Sequence, residues 1–122
     1  MQPMRQMKAR PRIGVDLRAL VPRPTGIGVY TEALLRELLE RREFDLVGLS
    51  HAPLHESVEF AGRDLEIEVH GAPLGVLWQQ QYLPRRLAQG DIDLFWSPLL
   101  TLPGRLPVPG VVTIHDLAVL HH

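Results

Sequence analysis

At 122 residues, with 45% hydrophobic and 22% charged residues and a net charge of -1, the chain suits one domain with a single core. That charge balance gives no global attraction to nucleic acid, and no apolar stretch reaches the roughly 18 residues that a membrane helix needs. The absence of cysteine excludes disulfides, thiolate metal sites and thiol nucleophiles, and it fits a reducing, cytoplasmic setting.

Residues 1–11 are basic through Arg5, Lys8 and Arg10 but carry no apolar core, so they read as a flexible tail and not as a secretory signal. The domain itself is expected over 12–122. Ile13–Leu17 reads as a first strand, followed by a loop with Pro22 and Pro24. Gly26-Ile27-Gly28 then opens a helix running to about Arg42. Its Ile27, Tyr30, Leu34, Leu35, Leu38 and Leu39 recur at spacings of three and four on one face. Glu32–Arg36 and Glu37–Arg41 are favourable pairs four apart, each contributing a few tenths of a kcal/mol.

Phe44–Ser50 is a second strand, and 52–63 is irregular. Leu65–His70 alternates apolar and polar residues, as a strand with one wet face at a sheet edge does. These two strands, hairpin-like in sequence, are where the sheet could depart from a parallel arrangement. Leu74–Gln89 reads as a second helix that Pro84 should kink or divide. Ile92–Trp96 is a fourth strand, Leu99–Pro109 a proline-rich loop, and Val111–Ile114 a fifth strand. The order β-α-β-β-α-β-β predicts a Rossmann-like, three-layer α/β/α fold with a mostly parallel sheet.

In such sheets ligands gather outside the carboxyl ends of the strands. Asp16–Arg18, Ser50-His51, Ser97-Pro98 and His115-Asp116 each follow a predicted strand, and Gly26 and Gly28 would lie among them. Glycines before a helix let the backbone approach a phosphate at the helix N-terminus. The dinucleotide fingerprint fits poorly, because Thr31 stands at its third glycine position and the loop after the first strand is long. A turn that merely starts a helix accounts for the same glycines. His115 and Asp116 are neighbours on a strand and so point to opposite faces, which argues against a dyad. A hydrogen-bonded histidine at a strand end, with Asp116 capping a turn, is the simpler account of them. Arg18 could meet an anion or close a surface ion pair. Trp78 and Trp96 read as core anchors, and Arg85-Arg86 as a solvated helix end. His51 and His55 straddle Pro53, which argues against a helical metal pair, so no metal site is expected.

Three segments together resemble the N-terminal part of a retaining, GT-B-type glycosyltransferase of family 4. They are Asp16-Leu17-Arg18 with Thr25-Gly26-Ile27-Gly28-Val29-Tyr30-Thr31; Leu77-Trp78-Gln79-Gln80 with Leu83-Pro84; and Asp93–Pro98 leading to Val112-Thr113-Ile114-His115-Asp116-Leu117. The resemblance implies a nucleoside-diphosphate sugar as donor, no tightly bound cofactor and no required metal. It implies that Gly26, Gly28 and Asp116 serve the donor and its phosphates, and that His115 contacts the donor sugar near the reacting carbon. Arg18, Tyr30, Ser97 and Pro98 would face the acceptor. Val29 stands where relatives often carry a basic residue. The resemblance also makes the chain an incomplete N-terminal domain, inactive without the second, donor-binding domain. Other readings remain open. The chain could be a non-catalytic module that self-associates through an exposed edge or pairs with a complementary chain, or another nucleotide- or phosphosugar-binding domain. Peripheral membrane contact is compatible with all of them.

Overall fold

A computed structural model describes residues 10–58, 65–99 and 101–112. The strands are β1 (Arg12–Asp16), β2 (Asp45–Ser50), β3 (Glu66–Val69), β4 (Leu94–Ser97) and β5 (Gly110–Val112). They form one five-stranded sheet in the order β3-β2-β1-β4-β5. Every pairing is parallel, with Val15 of β1 between Gly48 of β2 and Trp96 of β4. Helix α1 spans Ile27–Arg41. Helix α2 runs through Gly75–Leu77, a π-helical turn at Trp78–Tyr82, and Leu83–Leu87.

Two apolar cores lie on the two faces of the sheet, and successive strand residues alternate between them. Ile13, Val15, Leu46 and Trp96 pack with Leu35 of α1, flanked by Leu34, Leu38 and Leu39. Val47, Leu49 and Phe95 pack with Trp78, Leu83 and Leu87 of α2. The expected α/β/α layering follows directly, and both tryptophans are core anchors as their sequence context predicts. Both pairs expected on α1 also form, Glu32–Arg36 at 2.9 Å and Glu37–Arg41 at 3.7 Å.

One expectation needs correction, and the one about Pro84 takes a specific form. β2 and β3 are parallel, with Val47 opposite Glu66 and Ser50 opposite Val69. A parallel pair requires a crossover of about a dozen residues. Of the residues between them, Leu54, Val58 and Leu65 join the core on the α1 face. At Pro84 the regular α-helical geometry is interrupted, since a π-helical turn precedes it and Pro84 stands at the start of the last α-helical piece, Leu83–Leu87. The π-helical turn before it, closed by Leu83 N–H donating to Trp78 C=O, widens the backbone at the turn where the ring would meet a carbonyl. Pro84 is buried in the first turn of Leu83–Leu87.

α1 ends at Arg42, which takes a left-handed conformation at φ 57°. The Arg42 carbonyl accepts a hydrogen bond from Arg10 Nη1 at 2.7 Å. No helix among the described residues is long and apolar enough to cross a membrane.

Candidate functional site

Because all five strands are parallel, their carboxyl ends share one rim. β1 lies between β2 and β4, so the chain builds outward to β3 on one side before returning to β4 on the other. That reversal is the point at which open α/β sheets form a ligand crevice. Asp16 and Ser97 end the two strands that flank it.

Asp16 is fully buried. Its carboxylate accepts hydrogen bonds from the Arg18 backbone N–H at 3.0 Å, from Nε at 3.0 Å and from Nη2 at 2.7 Å. Arg18 Nη1 donates to the Gly75 carbonyl at 3.3 Å, and the guanidinium lies 5.0 Å over the Trp78 ring. A buried carboxylate requires this kind of multiple compensation, and the cation over the indole face adds an attractive contact. The arrangement ties the chain leaving β1 to the start of α2. Arg18, with a side chain only 13% exposed, is therefore much more enclosed than a surface ion pair.

The two glycines differ in their surroundings. Gly26 has φ 52° and open space around the position of a Cβ. It precedes the first turn of α1, which has no side-chain cap and no acidic residue. Gly28 is buried, and a Cβ there would stand 2.8 Å from the Ala19 carbonyl oxygen and 3.1 Å from Pro24 Cβ. Its small size lets α1 dock against the short 3-10 turn Arg18–Leu20. Tyr30 and Val29 are exposed on that first turn. Ser97 is fully buried, with Oγ accepting from the Leu99 N–H at 3.4 Å, and Pro98 is buried beside it. Thus Arg18, Gly28, Ser97 and Pro98 are packed into the rim, while Gly26 and Tyr30 face outward. His115 and Asp116 lie outside the described residues.

The structure adds residues whose part the sequence does not announce. Gln79 Nε2 donates to Thr101 Oγ1 at 3.0 Å, and Gln80 Oε1 accepts from the Gly104 N–H at 2.8 Å. Together they fasten the loop after β4 to α2. The only signal for them is their place in the Leu77–Gln80 segment of the resemblance. Arg86 is a correction, being only 8% exposed and not a solvated helix end. It donates to both Glu68 oxygens, at 2.6 and 2.8 Å, and to both Asp91 oxygens, at 2.7 and 3.0 Å. These bonds raise the Arg86 pKa and hold the Asp91 carboxyl below its ordinary value. Beside them, Tyr82 stacks on His70 with centroids 4.0 Å apart. Burial, with a smaller push from Glu68, raises the Tyr82 pKa.

Among the described residues, no group of three or more His, Cys, Asp or Glu side chains stands together as a metal site would require. No protein-family model, curated protein or solved structure matches the chain.

Proposed function

We propose that the chain is the acceptor-side domain of a cytoplasmic, retaining glycosyltransferase of the family-4 type, using a nucleoside-diphosphate sugar. One juxtaposition supports this reading above the rest. The Asp16-Leu17-Arg18 and Leu77-Trp78-Gln79-Gln80 segments, distant in sequence, meet where Arg18 covers Trp78 beside the topological reversal. In this reading the open N-terminus of α1 at Gly26 faces the donor diphosphate, where its partial positive charge is useful. Gly28 holds that helix end in place. His115 contacts the donor sugar, Asp116 shapes the same pocket, and the Arg18, Tyr30, Ser97 and Pro98 wall faces the acceptor. The opposite wall belongs to a second, nucleotide-binding domain, and the chain by itself does not turn over. Catalysis would rest on positioning the two substrates and stabilising the departing diphosphate.

The test is titration of the 122-residue chain with UDP-glucose, GDP-mannose and NAD, followed by amide chemical shifts, alongside a sugar-transfer assay. The expected result is weak, saturable perturbation around Gly26–Tyr30 by a nucleotide sugar and no transfer. Transfer by the pure chain, or tight NAD binding lost in Gly26 and Gly28 variants, would overturn the proposal.

A second reading rests on the edges of the described sheet. β3 and β5 are the outer strands, and each exposes an apolar residue, Val69 and Val111 respectively. Unpaired strand edges of this kind favour association with a second chain. Light scattering tests it: a mass that rises with concentration supports a self-associating module, and a constant monomer mass removes the idea.

A further inference from the structure

α2 begins at the rim, where Gly75 meets Arg18, and leads away from it toward the start of β1, where Arg12 lies near Asp91. The loop after β4 returns along the same path to Gly110. Between the second half of α2 and this loop lies a groove of about 420 Å³, lined by Pro84, Arg85, Ala88, Arg105, Leu106 and Pro107. Its volume falls within the range of small-molecule sites, roughly 300–1,000 Å³.

The walls are fixed before any ligand arrives. Gln79 and Gln80 hold Thr101 and Gly104, and Phe95 N–H donates to the Pro109 carbonyl at 2.9 Å. Leu102, Leu106 and Val108 pack against the core on the α2 face. Pro103, Pro107 and Pro109 further restrict the loop backbone. A preformed wall lowers the ordering cost of binding.

Four of the six lining residues are apolar, and the other two are arginines, one from each wall. Arg12, Arg18, Arg36, Arg41 and Arg86 each face a carboxylate. Among the described residues, Arg85 and Arg105 form no such pair. They leave donors suited to a phosphate or carboxylate beside an apolar surface.

We infer that this groove binds a small amphiphilic anion. Its apolar body lies against Pro84, Ala88, Leu106 and Pro107, and its single phosphate or carboxylate is held between Arg85 and Arg105. The inference does not depend on the proposed glycosyl transfer, because none of the groove's lining residues is among those assigned a part in that reaction.

The probe is octyl phosphate below its micelle concentration, titrated into the full chain by calorimetry. Inorganic phosphate, octyl glucoside and phosphatidylglycerol–phosphatidylcholine vesicles form the comparison arms. Saturable octyl phosphate binding is expected, weakened about tenfold by R85Q and by R105Q, as loss of one charge-assisted contact implies. Ala88→Trp should block it by filling the groove, while Arg36→Gln leaves it unchanged. Circular dichroism confirms that each variant folds, and the exposed arginine variants carry the test if Ala88→Trp does not. No saturable binding, equal binding of octyl glucoside or inorganic phosphate, or indifference to both arginine variants would each overturn the site. So would binding to anionic vesicles without binding of monomeric octyl phosphate, which would assign the arginines to a membrane surface.

Discussion

Arg18 holds the fully buried Asp16 carboxylate through Nε at 3.0 Å and Nη2 at 2.7 Å while its guanidinium covers Trp78. Removing one member of such a pair leaves a charge in a place that water does not reach. Asp16→Ala and Arg18→Ala should each destabilise the chain by about 3–5 kcal/mol, the range for breaking a buried pair. Arg18→Lys should restore little, because one ammonium cannot reproduce the fork or the stacking. Urea unfolding measures all three. A cost below about 1 kcal/mol would place the pair in the weak, solvent-screened class.

The Arg86 cluster makes a pH-dependent prediction. Its bonds to Asp91 hold that carboxyl below its ordinary value. A depressed carboxyl stabilises the fold fully above its unfolded pKa, about 3.9, and loses that contribution as pH falls through its folded value. The stability difference between the native chain and Asp91→Asn should therefore be constant near neutrality and shrink below about pH 4. Arg86→Ala should cost about 2–3 kcal/mol, reduced from the fully buried case because Glu68 and Asp91 retain solvent contact. A difference that grows on acidification would contradict the assigned sign.

The contrast between Gly26 and Gly28 separates backbone conformation from packing. Gly28→Ala forces a Cβ against the Ala19 backbone, an atom that cannot swing aside. A cost of about 1–3 kcal/mol is expected for such overpacking. Gly26→Ala meets no atom within 4 Å, and its cost comes from φ 52° alone. d-Alanine introduced by chemical synthesis distinguishes them. At Gly26 it should remove the penalty, since a positive φ suits that enantiomer. At Gly28, where φ is not positive, it should not.

The extent to which the sequence foretold this structure follows from the range of each signal. α1 and the strand cores were legible because Leu34, Leu35, Leu38 and Leu39, or Val15, Val47 and Phe95, carry local periodicity. The rim was legible once parallel strands were expected. The direction of β3 was not, because pairing with β2 depends on a crossover whose apolar residues, Leu54 and Val58, are sparse. The burial of Arg86 is not legible in sequence because Glu68, far back in the chain, is one of its partners, and no spacing rule connects a helix to that strand. The Gln79 and Gln80 contacts were hidden for the same reason. His115 and Asp116 lie outside the described residues, so their expected roles rest on the resemblance.

Gln79 and Gln80 offer the sharpest test of how the loop after β4 is held. Gln80→Ala removes the acceptor of the Gly104 N–H, an exposed contact that water can replace. Its global cost should be below about 1 kcal/mol, yet hydrogen exchange of the Gly104 amide should accelerate because local opening no longer breaks that bond. Gln79 is nearly buried, so Gln79→Ala should cost more, about 1–2 kcal/mol, through lost packing and its bond to Thr101. Exchange at Gly104 that is unchanged in Gln80→Ala would show that Leu102, Leu106 and the prolines hold the loop without the glutamine. Acceleration confined to residues around Gly104, with an unaltered unfolding midpoint, would assign Gln80 a local fastening role.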